Sequence, residues 1–278
     1  MVFIHGGGFQ FGGSALYPGD QLAATGEVIV VTINYRLGIL ASFAMPNQTE
    51  QFNFHLSDQR LALQWVHDNI AAFGGLPSQI TIFGESAGGA SVLFHSMQNA
   101  PIFAQAIAQS PGPWLAFTPQ LSEFIGSRVA RGFNCTTLEC MRHIPFQFLN
   151  SFEYSPLPVA DGDLVPLCPN SASPMSPCYP LLLTKSSVPL MIGDTGAEGV
   201  IYPYSLSKWK FGSNFSLADQ GVLMGQLFPN ETVAAELLSW YPGLDPFDQV
   251  AKLMGDYQAY CGVDTVAKNT ALFRYVFN

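Results

Sequence analysis

Charged residues are scarce in this sequence, and basic residues are the scarcer kind. Only 11% of the 278 residues are charged, and 11 lysines and arginines stand against 20 aspartates and glutamates, which gives a net charge of −9. A chain with so few cations has no basic patch for a phosphate backbone or an anionic membrane surface. The composition therefore argues against a nucleic-acid partner.

Cofactor-binding motifs are missing as well. The sequence contains no G-K-[ST] phosphate loop, and its histidines and cysteines do not cluster at metal-ligand spacing. We therefore expect no metal, nucleotide or other cofactor.

Long hydrophobic runs are absent, although 48% of the residues are hydrophobic. The stretch 28–45 is interrupted by Asn34, Arg36 and Gly38, which predicts a buried strand and a loop rather than a membrane span. No basic region precedes the apolar residues after Met1, so no signal-peptide pattern is present. A chain of this length and composition can bury a large core, so we expect one domain over residues 1–278. The sequence makes no prediction about oligomeric state.

A serine between two glycines carries the strongest functional signal. Ser86 is the centre of the segment Gly-Glu-Ser-Ala-Gly at 84–88, which follows an apolar run at 80–83 and opens a small-residue helix start at 87–91. This G-x-S-x-G pattern between a strand and a helix is typical of a nucleophile elbow. We therefore predict that Ser86 is a nucleophile and that the Ala87 N–H, at the start of the helix, stabilises an oxyanion.

A second glycine-rich segment begins near the start of the chain. His5 is followed by three glycines and Phe9, directly after the apolar residues 2–4. Consecutive glycines permit positive φ and leave backbone N–H groups unshielded, so two amides can point at one oxygen. We predict that Gly7 and Gly8 complete an oxyanion hole with Ala87.

Strands and helices alternate along the first half of the chain. The patterns predict strands at 2–5, 28–34, 79–83 and 105–109, and helices from Ser57 or Asp58 to 73 and at 87–97. In the first of these helices Leu61, Trp65, Val66, Ile70 and Phe73 follow a 3.6-residue period. Such alternation favours a mostly parallel sheet with right-handed crossovers, flanked by helices.

With these segments in view, the chain resembles the type-B carboxylesterases, the cholinesterase/lipase branch of the α/β-hydrolases. The resemblance covers nearly the whole chain and is densest over 1–115, above all at 58–66 and 73–88. It implies an α/β-hydrolase fold, here lacking part of the sheet at both ends. It also implies hydrolysis of carboxylic esters, with a small-molecule or lipid ester as substrate and a Ser-Glu-His triad.

The acid of the triad should follow the serine in chain order, on the loop after a strand predicted at 188–192. Two carboxylates lie there, Asp194 and Glu198. The resemblance favours Glu198, because the family places a glutamate just before a glycine. Asp194 is the alternative.

No histidine follows Glu198 in the sequence. The five histidines, His5, His55, His67, His95 and His143, all precede it and read as structural or solvated residues. The end of the chain resembles the family's strand before the catalytic histidine, so we expect that histidine beyond Asn278. The alternatives are a short protein that has lost its triad and serves as a binding or adhesion protein, and a piece that does not fold stably.

Cysteines and glycosylation sequons point to an exported parent protein. The resemblance implies a small disulfide loop between Cys135 and Cys140. Cys168 and Cys178 flank a Pro/Ser-rich stretch and could pair, in which case Cys261 has no partner among these five cysteines. The alternative is that all five cysteines are reduced thiols. N-x-[ST] sequons begin at Asn47, Asn134, Asn214 and Asn230.

The second half of the chain changes character twice. Seven prolines between Pro156 and Pro180 predict an irregular excursion at 151–187, which the resemblance places over the mouth of the active site. Beyond it, 200–271 reads as a helical cap or gorge region, with helices predicted at 215–227, 232–240 and 246–260. Its aromatic residues fit either a substrate gorge or ordinary core: Phe211, Phe215, Phe228, Trp240 and Tyr241. The resemblance assigns Trp114 to an acyl pocket.

Overall fold

The computed structural model describes residues 1–46, 52–111, 116–149, 157–168, 173–174, 185–201, 203, 215–228, 230–257, 266 and 272–277. Within these residues, six strands form one parallel sheet in the order β2-β1-β3-β4-β5-β6. They are β1 (Val2–Ile4), β2 (Val31–Ile33), β3 (Thr81–Glu85), β4 (Gln105–Gln109), β5 (Leu190–Thr195) and β6 (Leu272–Phe277). Because every pairing is parallel, the carboxyl ends of all six strands lie at one edge of the sheet.

Helices connect these strands and cover the sheet. They are α1 (Asp20–Gly26), α2 (Phe54–Asn69), α3 (Ala87–Ser96), α4 (Pro119–Gly132), α5 (Leu138–Arg142), α6 (Phe146–Leu149), α7 (Leu217–Leu227), α8 (Glu231–Ser239) and α9 (Pro246–Gly255). Among the described residues, no helix combines the length and the apolar character needed to span a bilayer. The predicted α/β-hydrolase arrangement of a parallel sheet flanked by helices is confirmed.

The main core lies between α2, α3 and the sheet. Every residue of α3 is buried, because small side chains let this helix lie directly against the strands. Helix α2 contributes Leu63 and Val66 to the same core, and the 3₁₀ turn Ile70–Phe73 that follows it contributes Ile70. The prediction for this helix was wrong in part. It begins at Phe54 rather than at Ser57 or Asp58, and Leu61 and Trp65 face outward, with 70% and 53% of their surfaces exposed.

A second core holds α7, α8 and α9 together. It is built around Phe215, Met224 and Phe247, and the rings of Phe215 and Phe247 meet edge to face at 5.6 Å. Phe215 is therefore core rather than gorge lining, whereas Trp240 is 61% exposed.

In the predicted excursion at 151–187, the described residues contain no helix or strand beyond a single bridge from Val159 to Phe117.

Candidate active site

The nucleophile candidate, Ser86, lies in the sharp turn between β3 and α3. Its backbone has φ 56° and ψ −122°, a conformation that non-glycine residues rarely adopt. Two hydrogen bonds hold it there: the Ser86 N–H donates to the carbonyl of Gln109 at 2.9 Å, and its carbonyl accepts from the Ala90 N–H at 2.9 Å. Strain of this kind costs about 1–3 kcal/mol and persists only where the surroundings enforce it.

Glycine at position 88 lets the elbow helix touch the sheet. A Cβ at Gly88 would lie only 2.0 Å from the carbonyl oxygen of Ile4, the last residue of β1. A Cβ at Gly84 would likewise lie 2.6 Å from the same oxygen. Backbone-to-backbone contact between α3 and β1 therefore fixes Ser86 relative to the loop that leaves β1.

That loop contains the predicted oxyanion donors. Gly7 and Gly8 both have positive φ, 105° and 62°, and a Cβ added at Gly6 would lie 3.1 Å from the Ser86 Cβ. No described residue accepts a hydrogen bond from the N–H of Gly7, Gly8 or Ala87. The loop that carries Gly7 and Gly8 thus touches the Ser86 turn at Gly6, and these three amides have no acceptor in the described part of the chain, as the donors of an oxyanion hole require.

The register of the sheet brings the acid candidates to the same edge. Glu85 is paired with Gln109, and Gln109 with Gly193, so the ends of β3, β4 and β5 form one row. Residues that follow this row therefore meet Ser86 at the carboxyl edge of the sheet, where parallel α/β proteins usually bind ligands.

Glu198 and Asp194 occupy different environments at this edge. Glu198 is partly buried at the start of a short 3₁₀ turn, and its Oε1 accepts from the Ser110 hydroxyl at 2.5 Å and from the Thr195 N–H at 2.7 Å. Asp194 lies inside β5 rather than on the predicted loop, and it is 2% exposed. The Glu198 carboxylate is thus oriented by a side chain from the neighbouring strand end.

Two residues of this site were missed by the sequence analysis. Ser110, at φ 42°, follows β4 and donates to Glu198. Glu85 precedes Ser86, and loss of solvation together with the charge of Glu198 raises the pKa of Glu85. Both could have been found by asking which polar residues end the strands next to the elbow.

The three buried histidines are committed to structural contacts. His5 Nδ1 lies 2.8 Å from the carbonyl oxygen of the next residue, and His55 Nδ1 lies 2.8 Å from that of Ala41. His95 Nε2 lies 2.9 Å from the side-chain oxygen of Gln59. Burial lowers the pKa of His55 to about 4 and that of His95 to about 3. Both rings are therefore neutral at pH 7.

The other two histidines lie at the surface, on or beside helices. His67 contacts Asp68 at 3.1 Å, and His143 Nδ1 lies 2.8 Å from the carbonyl oxygen of Glu139. All five histidines lie in the described part of the chain, and none of these five is hydrogen-bonded to the Ser86 hydroxyl or to the Glu198 carboxylate.

The remaining predicted residues lie away from the nucleophile or outside the described part of the chain. Cys135 and Cys140 form a disulfide with their Cα atoms 5.5 Å apart, as the resemblance implied. Cys168 is also disulfide-bonded, and its predicted partner Cys178 is not among the described residues. Five further predicted residues lie outside that part of the chain: Trp114, Phe211, Asn47, Asn214 and Cys261.

Comparisons with known proteins identify the family of the chain. The sequence profile of the Carboxylesterase family matches residues 1–277. The chain is 32% identical to the acetylcholinesterase of Bungarus fasciatus over its whole length, and it covers 52% of that protein. It is 31% identical to cholinesterase 2 of Branchiostoma lanceolatum, with 98% of this chain and 89% of that protein aligned. Over 43% of this chain, and 21% of the relative, it is 52% identical to the cholinesterase of Mus musculus. The chain thus spans about half the length of the Bungarus protein.

Proposed function

The chain belongs to the carboxylesterase family of α/β-hydrolases, and from that premise we propose that it hydrolyses carboxylic esters through an acyl-enzyme on Ser86. The observation that carries the proposal is the arrangement at the elbow. Ser86 is held at φ 56°, the loop that carries Gly7 and Gly8 touches it at Gly6, and the N–H groups of Gly7, Gly8 and Ala87 have no acceptor among the described residues. A serine turn that served only as a connection would have no need of that strained backbone.

The reaction has two steps. The Ser86 oxygen attacks the ester carbonyl while a base takes its proton, and the three amides stabilise the oxygen that becomes negative. The leaving alcohol departs with that proton, and water then attacks the acyl-enzyme to release the carboxylic acid. Glu198, held by the Ser110 hydroxyl, orients the base and stabilises its protonated form.

In this proposal, the base is a histidine outside these 278 residues. Two observations support it: none of the five histidines contacts Ser86 or Glu198, and the chain spans about half the length of the Bungarus acetylcholinesterase. The chain's own contribution is then the nucleophile, the oxyanion hole and the acid. Its substrate is a small-molecule or lipid ester, and choline esters are the first to test, given the names of the relatives.

Turnover of p-nitrophenyl acetate and of acetylcholine by the full-length protein tests this function. We expect Ser86→Ala to remove turnover of both esters, and Glu198→Gln to lower kcat by about 10³-fold or more. Asp194→Asn is the matched control, because it removes a neighbouring carboxylate. The folded fraction of this variant should retain turnover. If Glu198→Gln remains active and folded Asp194→Asn is inactive, the acid has been assigned to the wrong residue.

A second candidate is a binding or adhesion protein without catalysis, which the positions of the five histidines favour. The same assay separates the two functions. A full-length protein that turns over no ester and carries no histidine against Ser86 would be such a binding protein.

Export of the parent protein is part of the proposal. The disulfide between Cys135 and Cys140 supports it, and so do the exposed sequon residues Asn134 and Asn230. The Asn230 side chain caps α8 through its oxygen, which leaves its amide nitrogen available for a glycan. A mass decrease after glycosidase treatment of the native protein is expected, and an unshifted mass would contradict glycosylation.

A further inference from the structure

A cavity of about 670 Å³ lies at the carboxyl end of α3, at the opposite end of that helix from Ser86. Ten helical residues separate the two ends, a rise of about 15 Å. No residue of the proposed catalytic machinery lines this cavity. Its volume falls in the range of small-molecule sites, about 300–1,000 Å³. The cavity is therefore large enough for a second ligand, separate from the ester.

The cavity has an apolar wall and one cation. Leu63, Ile102 and Phe103 provide apolar lining, and Arg60 and Asp163 also line the cavity. The Arg60 guanidinium is 3.9 Å from the Asp163 carboxylate, which is beyond hydrogen-bond distance, and both side chains are about half exposed. No hydrogen bond joins Arg60 to any other described residue. Its planar set of N–H donors is therefore open to a carboxylate ligand.

His95 adds a hydrogen-bond acceptor whose tautomer is fixed by its neighbours. The Ser91 hydroxyl donates to the carbonyl of Ala87 at 2.9 Å, so Ser91 accepts from the Gln59 amide group at 3.1 Å. The Gln59 oxygen is then left to accept from His95 Nε2, at 2.9 Å. His95 therefore carries its proton on Nε2, and Nδ1 is an acceptor.

That acceptor is preorganised beside the cavity. His95 is 2% exposed and lines the cavity, and no described residue donates a hydrogen bond to its Nδ1. Burial, followed by the positive charge of Arg60, lowers the pKa of His95 to about 3. Arg60 is thus close enough to His95 to affect it, and the ring remains a neutral acceptor at pH 7.

We propose that this cavity binds a small organic carboxylate that also carries a hydroxyl group. The carboxylate pairs with Arg60, the apolar body of the ligand packs against Leu63 and Phe103, and the hydroxyl donates to His95 Nδ1. The proposal does not depend on esterase activity, because its test measures binding alone.

Isothermal titration of the full-length protein with 4-hydroxyphenylacetate tests the proposal, with two analogues as comparators. Phenylacetate lacks the hydroxyl and should bind about threefold or more weakly, and 4-hydroxyphenylethanol lacks the carboxylate and should bind about tenfold or more weakly. Arg60→Gln should lower the affinity for 4-hydroxyphenylacetate by about tenfold or more. Asp163→Asn should raise it, because that variant removes a carboxylate that competes for Arg60.

The two variants have opposite expected effects, so a general loss of folding cannot imitate the result. Both side chains are about half exposed, and thermal unfolding of each variant should match the native protein. Weaker binding in Asp163→Asn with unchanged binding in Arg60→Gln would overturn the proposal in favour of a cationic ligand. Equal affinity for all three compounds, or no heat of binding at millimolar concentration, would also overturn it.

Discussion

Substitution of Gly88 by alanine is the sharpest test of how the fold positions the nucleophile. The added Cβ would lie 2.0 Å from the carbonyl oxygen of Ile4 and 2.8 Å from its carbonyl carbon. Ordinary contact begins at 3.4 Å. Because both neighbours are backbone atoms of β1, no side-chain rotation relieves the clash. Either α3 or β1 must move by more than 1 Å.

The expected cost follows from that displacement. Overpacking a core by one methyl group costs about 1–3 kcal/mol, and a clash with backbone belongs at the upper end, so we expect about 3 kcal/mol. With an m-value of about 3 kcal/mol per molar urea, the midpoint of unfolding should fall by about 1 M. A shift of this size at the elbow should also lower the reactivity of Ser86, by about 10² for each ångström.

Urea unfolding followed by tryptophan fluorescence measures the first effect, and the rate of fluorophosphonate labelling measures the second. Gly221→Ala is the matched control. Gly221 lies inside α7, and no atom lies within 4 Å of the place that an alanine Cβ would take, so alanine there should stabilise by about 0.5–1 kcal/mol. If Gly88→Ala unfolds at the native midpoint and labels at the native rate, close contact between α3 and β1 does not position the nucleophile.

Three further predictions follow from the site and its surroundings. Ser110→Gly removes the hydroxyl that donates to Glu198, and glycine tolerates the φ of 42° at this position. The kcat/KM of the full-length protein should therefore fall by about 10–100-fold, while the free energy of unfolding changes by less than about 1 kcal/mol. An unchanged kcat/KM would show that the hydrogen bond is dispensable. Burial lowers the pKa of His55 to about 4 and of His95 to about 3, so the unfolded chain binds protons that the native protein excludes, and stability should fall as pH drops from about 6.5 toward 4. At pH 5 each histidine should cost about 2 kcal/mol in urea unfolding relative to pH 7, and equal midpoints at the two pH values would contradict the burial of both rings. Finally, added imidazole should replace the missing base and accelerate fluorophosphonate labelling of Ser86 in the 278-residue chain, once cooperative unfolding has shown that this chain is folded. A labelling rate independent of imidazole would argue against a site that lacks only its base.

Local sequence signals were enough to locate the elbow and the strands around it. The strand Gln105–Gln109 has the predicted limits, and Ser86 lies between a strand and a helix as the glycine pattern indicates. Both segments combine an apolar run with small residues that fit few other structures. Their local preferences and their tertiary contacts agree, which is why sequence alone located them.

Periodicity did not determine which side of a helix faces the core. Leu61, Trp65 and Phe73 follow the same period as Val66 and Ile70, yet the first three are exposed. A helix that covers a parallel sheet buries a narrow stripe, and neighbouring apolar positions can lie outside it. The sequence pattern could not assign the boundary of that stripe, because it depends on the angle at which the helix crosses the sheet.

The acid candidates show a different limit. Asp194 was placed on a loop, but β5 extends through Thr195 and buries it. The distinction between Asp194 and Glu198 depends on Ser110, which is 88 residues from Glu198 in sequence and contacts it only because β4 and β5 pair in parallel. Contacts between strand ends that are distant in sequence leave no local signal.

The most direct test of the account is to locate the covalent label after the native full-length protein has reacted with a fluorophosphonate. Peptide mass spectrometry should find the phosphonate on the Ser86 hydroxyl, and prior heat denaturation should prevent the reaction, because the proposed oxyanion hole requires the folded chain. A label on another serine, or a folded protein in which Ser86 stays unmodified, would contradict the assignment of Ser86 as the nucleophile of an ester hydrolase.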